Sequence, residues 1–203
     1  MADNHWEDVY KTKAVDRVSW YQSRAETSLR LITDTGMSHE AAIIDVGSGA
    51  SRLIDNLLAA GFANITALDL SASALATSKK RLKAKAENVT WLVGDVLTTA
   101  FAKAQFSIWH DRAVFHFLMT PEQQQSYVTQ AAKAVERGGY AIIATFAEDG
   151  PEKCSGLPVQ RYSAQQLAEV FAEHFTLVHT EREIHKTPNG SEQKFNYCVL
   201  RRN

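Results

Sequence analysis

The sequence predicts a single-domain α/β fold: a largely parallel sheet of seven strands, helices on both faces, and a C-terminal antiparallel hairpin. Three observations carry that expectation. Short apolar runs alternate with longer segments of helical periodicity from about residue 42 to residue 145. The run Ile43-Ile44-Asp45-Val46 opens directly onto Gly47-Ser48-Gly49, and a second run ends at Asp69, 20 residues past Gly49. Near the C-terminus, two alternating segments flank Pro188-Asn189-Gly190, a hairpin turn signal.

The first 40 residues read as an appendage, and residues 41–203 as the domain. The appendage holds the segment Trp6 to Tyr10, then Ser19-Trp20-Tyr21, then a helix from about Ser23 to Thr35 closed by Gly36. A strand comes next at Ala42 to Val46. The helix after it carries Leu53, Ile54, Leu57 and Leu58 on one face and stops near Gly61. The second strand is Ile65 to Asp69, and Ser71 caps a helix predicted to reach Glu87, with Ala72, Leu75 and Leu82 inward and its lysines solvated. The third strand is Val89 to Val93, closing at Gly94-Asp95, and the fourth is Gln105 to His110. A loop beginning at Asp111 leads to Thr120-Pro121-Glu122-Gln123, a cap, a first-turn proline and a capping-box glutamine. That helix is predicted to end at Gly138-Gly139, ahead of a fifth strand at Tyr140 to Thr145. A long segment, Phe146 to Tyr162, precedes a second capping box, Ser163 with Gln166. Thr176 to Ile184 and Lys194 to Leu200 alternate as the strands of the closing hairpin.

Composition narrows the function classes. The chain has 203 residues, 45% hydrophobic and 22% charged, the balance of an ordinary globular protein and the length of one well-packed domain. A formal net charge of −1 argues against a broad nucleic-acid or anionic-membrane surface. No apolar stretch approaches the roughly 18 residues of a membrane span, and the polar, acidic start is unlike a signal or transit peptide. Cys154 and Cys198 form neither a metal-ligand spacing nor a disulfide framework, so no metal site is expected and the cytoplasm is the expected compartment.

A strand, a glycine turn, a helix and a second acid-tipped strand make a nucleotide-binding βαβ unit, in which ligands sit at the carboxyl ends of the strands. A dinucleotide fingerprint wants a third glycine at position 52, which is Arg52, and has no need of Asp45. That weakens a nicotinamide dehydrogenase. Asp-x-Gly-x-Gly, with the acid two residues before the first glycine, instead resembles motif I of the class I S-adenosylmethionine (SAM) methyltransferases, although Ser51 stands where a third glycine is common there. The resemblance spans roughly residues 40 to 145 and implies SAM as cofactor. Its sulfonium and ammonium want acids where a pyrophosphate would avoid them. On that reading Asp45, with Gly47, Ser48 and Gly49, faces the amino-acid portion, and Asp69 holds the ribose hydroxyls. Leu70 lies against the adenine, Asp95 accepts from its amine, and Val96 offers a backbone N–H.

The end of the fourth strand, Ser107 to Ala113, then corresponds to motif IV, which faces the transferred methyl. Asp111 is placed to bind the SAM ammonium, orient the nucleophile or take its proton. His110 is a candidate base and a candidate cofactor contact. Arg112 either clamps an anionic substrate or pairs with Asp111, and such a neighbouring pair also serves as a plain salt bridge or cap. His116, in an apolar segment, reads as a hydrogen-bonded core histidine, and Trp109 as packing. His5, His39, His174, His179 and His185 read as surface or strand positions. Trp6, Tyr10, Trp20 and Tyr21 are candidates for an aromatic lid or for a helix pinned to the core. The long loop after the fifth strand offers Glu152, Lys153, Cys154 and Tyr162 toward a substrate.

The aromatic start, the short length and the compact C-terminus look similar to two branches of that superfamily. One holds thiopurine, thiol and tellurite methyltransferases. The other holds methyltransferase-like protein-lysine enzymes, in which an Asp-Lys pair commonly stands where Asp111-Arg112 does. The leading expectation is methyl transfer by in-line displacement to a small-molecule thiol, amine or related nucleophile. The alternatives are a protein lysine as acceptor, or a SAM-binding module without turnover.

Overall fold

The computed structural model describes residues 2–203, with side chains from His5 onward. Met1, the first residue of the expected N-terminal segment, lies outside the described residues. Strands β1 (Ile43–Val46) and β2 (Ile65–Asp69) are buried along their whole length. Ile43, Ile65, Ala67 and Ile108 pack on one side of the sheet, while Ile44, Leu68 and Trp109 pack on the other. A strand points successive side chains to opposite faces, so a strand covered on both faces reads as a continuous apolar run rather than an alternating one.

These strands join β3 (Val89–Val93), β4 (Phe106–Arg112), β5 (Val135–Phe146), β8 (Phe175–Lys186) and β9 (Glu192–Arg202) in one sheet of seven, ordered β3-β2-β1-β4-β5-β9-β8. The first five run parallel, and β9 pairs antiparallel with both β5 and β8, the closing antiparallel hairpin that the sequence predicts. Helices α2 (Glu26–Asp34), α3 (Leu53–Ala59) and α4 (Ala72–Leu82) supply apolar residues to one core, and α5 (Pro121–Ala134) and α6 (Ala164–Phe171) to the other. Both expected capping boxes form, at Thr120 with Gln123 and at Ser163 with Gln166. The order reverses at β1, which lies between β2 and β4, so the crevice opens at the carboxyl ends of β1 and β4.

Several boundaries differ from expectation. β4 extends through Asp111 and Arg112 because its backbone pairs there with Val46 on one side and Ala144 on the other. α5 stops at Ala134, before the two glycines, because Val135 already pairs with Phe106 and the register then slips to Ile108 with Tyr140. Gly138, at φ +81°, lies inside that irregularity. α4 ends at Leu82, where Lys83 takes φ +54°, and a 3₁₀ turn over Lys83–Asn88 leads into β3, held by Trp91 Nε1 donating to Ala86 at 3.0 Å. The long loop folds back as the short hairpin of β6 (Lys153–Cys154) and β7 (Leu157–Pro158). At the N-terminus, α1 (Ala2–Thr12) docks on α4. Among the described residues no helix is long and apolar enough to cross a membrane.

Candidate functional site

The glycine turn after β1 exists because only glycine suits it. Gly47 and Gly49 have φ of +66° and +52°, and a Cβ at either would overlap a neighbour, Val114 Cγ2 and the Tyr10 hydroxyl respectively. Asp69, at the tip of β2, braces this turn: Oδ2 accepts from Gly49 N and Oδ1 from Ser71 N, both at 2.8 Å. Burial pushes its carboxyl up to about 6 in spite of those two amides. Asp95, after β3, accepts from Leu97 N through Oδ1 at 2.8 Å, and its Oδ2 has no hydrogen bond among the described residues.

Asp45, at the tip of β1, starts a buried polar chain. His110 Nδ1 lies 2.7 Å from Asp45 Oδ1, and His110 Nε2 lies 2.9 Å from Ser28 Oγ. Ser28 Oγ is 3.4 Å from the Tyr197 hydroxyl, which accepts from Arg112 Nε at 3.0 Å. With the Nδ1 proton on His110 directed at the carboxylate, Ser28 Oγ donates to His110 Nε2 and His110 to Asp45, while the Tyr197 hydroxyl accepts from Arg112 and donates to Glu183 Oε2 at 3.3 Å. Arg112 Nη2 also donates to Glu183 at 3.1 Å. Asp45 Oδ2 and Ser48 Oγ, both buried, have no partner among the described residues.

These tips border a cavity of two lobes. The smaller, about 50 Å³, is lined by Ser28, Asp45, Ser48 and His110 together with Tyr21 and Gln22. The larger, about 220 Å³, is lined by Asp69, Leu70, Asp95, Val96 and Val114, with Phe117 and Cys154 beyond. Tyr10, Trp20, Gly47 and Arg112 line both. The roof is aromatic. Trp6 packs edge-on against Trp20 and Phe117, with ring centroids 5.8 and 5.1 Å away, and Trp20 Nε1 donates to the Tyr10 hydroxyl at 3.3 Å. Glu7 fastens this roof to α4: its carboxylate accepts from Ser71 Oγ at 2.7 Å and Ser73 N at 3.2 Å. Hydrogen bonds from Ser73 and Ser71 hold that carboxyl down to about 2.

The structure brings Asp45, Gly47, Ser48, Asp69, Leu70, Asp95, Val96, His110, Arg112, Trp20, Tyr21 and Cys154 to the cavity and sets Gly49 against Tyr10 at its edge. It does not bring Asp111 or Tyr162 there. Asp111 points to the opposite face of β4 from Arg112, so the two do not pair. Its oxygens accept from Val114 N at 2.8 Å, Phe115 N at 3.0 Å and the Tyr127 hydroxyl, and burial pushes its carboxyl up to about 6. Tyr162 is 5% exposed within the core beneath α5 and α6. His110 lines the smaller lobe, but both ring nitrogens are engaged. His116 is the expected core histidine, accepting from Phe146 N at 3.3 Å, and burial takes it down to about 3. His185, though on β8, is buried with Nε2 2.8 Å from Ser19 O. Burial raises the Cys154 thiol to about 12, so it stays protonated at neutral pH. Sequence reading missed Ser28, Glu183, Tyr197 and Glu7, which carry no local motif.

The donor set fits the cofactor that motif I implies. An orphaned carboxylate oxygen beside a buried hydroxyl suits an ammonium group. Two further acids with apolar neighbours, Leu70 and Val96, suit a ribose and a purine, and the glycines let Val114 and Tyr10 pack directly on the turn that borders the cavity.

A family model described as a methyltransferase domain matches residues 43–139. The chain is 25% identical over 199 residues to EEF1A lysine methyltransferase 2 of Danio rerio, covering 91% of this chain and 78% of that protein. Among solved structures it is similar to one from work on the conversion of a disulfide bond into a thioacetal group during echinomycin biosynthesis, with a TM-score of 0.78, 19% identity, and coverage of 100% and 93%. It is similar as well to Burkholderia thailandensis 1,6-didemethyltoxoflavin-N1-methyltransferase, with a TM-score of 0.71, 22% identity, and coverage of 100% and 84%. At these identities the structural likeness speaks for the fold.

Proposed function

Because the chain belongs to the class I S-adenosylmethionine-dependent methyltransferases, we propose that it methylates a small-molecule nucleophile, a thiol, an amine or a related group. The observation that carries this reading is the roof. Tyr10 and Trp20 line both lobes, Trp6 and Phe117 cover the larger, and Glu7 ties the helix that bears Trp6 and Tyr10 to α4. A roof over the junction of the lobes would admit a small acceptor more readily than an extended protein side chain. We read residues 1–40 accordingly as a lid over the domain of residues 41–203.

Asp45 and Ser48 would take the ammonium end, Asp69 the ribose hydroxyls, and Asp95, Leu70 and Val96 the adenine. Bound there, SAM supplies a methyl group already activated on a sulfonium. The chemistry it would supply is in-line displacement, the acceptor's lone pair taking the methyl as the carbon–sulfur electron pair leaves with the sulfur. The chain's contribution is then positioning and exclusion of water. Asp111 is sealed by its three donors and His110 has no free nitrogen, so neither serves as a ready base. The site therefore suits a nucleophile that arrives deprotonated, a thiolate beside Arg112 or a neutral amine. Arg112 Nη1, which has no hydrogen bond among the described residues, would give a polar atom of the acceptor a place to dock.

A second reading, a protein lysine as acceptor, is favoured by the relatives named for eEF1A. It requires the Trp6–Trp20 roof to swing aside for an extended side chain. Radiolabelled SAM incubated with a cell extract, split into protein and low-molecular-weight fractions, decides between them. Label among the small molecules is the expected result. Label confined to one protein band overturns it in favour of the lysine reading.

A further inference from the structure

Arg112 and Glu183 form an ion pair inside the cavity wall, with only 10% and 12% of their side chains exposed. Arg112 donates through Nε to Tyr197 and through Nη2 to Glu183, and its Cζ lies 4.1 Å from the ring centre of Phe195. Nη1 has no hydrogen bond among the described residues, on a side chain that lines both lobes. Glu183 Oε1 accepts from Gln22 at 3.1 Å. Burial works against the Glu183 charge, but Arg112 outweighs it and holds the carboxyl below its usual range. The other acids nearby have other roles: Asp45 meets His110 through Oδ1 and turns its free Oδ2 to the ammonium end of the smaller lobe, Asp69 holds two backbone amides, and Asp111 lies on the far face of the sheet.

On the cofactor reading above, Asp45 and Ser48 of the smaller lobe would hold the amino-acid half of SAM, and Asp69, Asp95 and Leu70 of the larger its nucleoside half. The sulfur joins the halves, so it must pass the residues common to both lobes, Arg112 among them. A guanidinium would then face a sulfonium in a site shielded from water, where like charges repel strongly. We propose that Glu183, supplied by the C-terminal hairpin, is the counter-charge that lets Arg112 and the cofactor sulfonium share this junction, and so is a positioning residue for methyl transfer. The inference rests on the cofactor reading above.

It has a signature that a merely structural role lacks. The product, S-adenosylhomocysteine, carries a neutral sulfur and does not feel an unbalanced Arg112. Glu183 therefore sets the preference between cofactor and product as well as the affinity for either. A unit charge about 6 Å away, at an effective dielectric of about 20, changes an affinity by roughly a hundredfold.

The test is calorimetric titration of SAM and of S-adenosylhomocysteine into the wild type, Glu183→Gln, and the double variant Glu183→Gln with Arg112→Met. In Glu183→Gln, SAM should weaken by about 10- to 100-fold and S-adenosylhomocysteine by less than about threefold. The double variant, with both charges gone, should return the ratio of the two affinities to near the wild-type value. Parallel weakening of both ligands, or an unchanged ratio, overturns the inference while leaving the cofactor reading intact. A wild type that binds neither ligand overturns the cofactor reading itself, and this inference with it.

Discussion

Replacing Asp111 with alanine separates a structural acid from a catalytic one. The carboxylate holds Val114 N at 2.8 Å, Phe115 N at 3.0 Å and the Tyr127 hydroxyl, and that hydroxyl in turn accepts from Trp109 Nε1 at 2.8 Å. Alanine leaves three buried donors without a partner, at about 1–3 kcal/mol each. Part of that returns, because a carboxyl lifted to about 6 is itself costly to keep ionised in the core. A shift of roughly two units is worth about 3 kcal/mol. The net expectation is a loss of about 3 kcal/mol, which at this chain length lowers the melting temperature by about 6–12 °C. The segment these bonds hold carries Val114 and Phe117 into the cavity, so SAM affinity should slacken with stability. Differential scanning fluorimetry and single-turnover methyl transfer, run together on Asp111→Ala and Asp111→Asn, read both effects. An unchanged melting temperature with turnover abolished would refute the assignment and return Asp111 to the reacting groups.

Other expectations rest on the same contacts. Asp69 and Asp111 both have native carboxyls raised to about 6, so between about pH 4 and pH 6 the folded chain holds more protons than the unfolded one. Their contribution to stability is fully present below about pH 4 and is lost as the pH rises through 6. Urea unfolding of wild type and Asp69→Asn across that range should show the two curves converging at low pH, and parallel curves would contradict it. Asp69→Ala should abolish SAM binding by calorimetry while leaving the circular dichroism of the fold in place, and undiminished affinity would sink the cofactor-site model. Gly47→Ala should fail to bind SAM, since it combines φ +66° with an overlap on Val114, and a crystal soak with full occupancy would contradict this. Glu7→Gln should loosen α1 from the end of α4, speeding SAM release in stopped-flow and exposing the first helix to limited proteolysis. A release rate equal to wild type would show that Glu7 does not hold the lid.

Most of the cofactor half was readable because its determinants are local. A β-branched run, an acid and a glycine pair fix a strand and its turn within about seven residues, and Ser71 or the two capping boxes start helices by contacts three residues away. Asp45, Asp69 and Asp95 reach the cavity because each ends a strand whose apolar run was unmistakable. The misread residues depend on partners far along the chain. Asp111 and Arg112 look like a pair only while they are placed on a loop; once β4 runs through them, strand alternation sends one toward Tyr127 and the other toward Glu183, 71 residues away. Ser28 meets His110 across 82 positions, and nothing near Ser28 marks it. Tyr162 belongs to a segment long enough to resemble a substrate loop, yet it turns inward to start α6 and takes its ring into the core.

The placement of β9 makes assembly of the site a late event in synthesis. Translation delivers the glycine turn, Asp69 and Asp95 first. The strand that lies between β5 and β8, and that supplies Tyr197, emerges after the other six of the sheet. Until it inserts, β8 has no neighbour in the sheet and Arg112 lacks the hydroxyl that orients its Nε. A nascent chain still attached to the ribosome can thus shape the larger lobe of the cavity while the contacts that Tyr197 makes with Arg112, Glu183 and Ser28 are unmade. The bonds that orient Arg112 therefore form only on completion of the sheet.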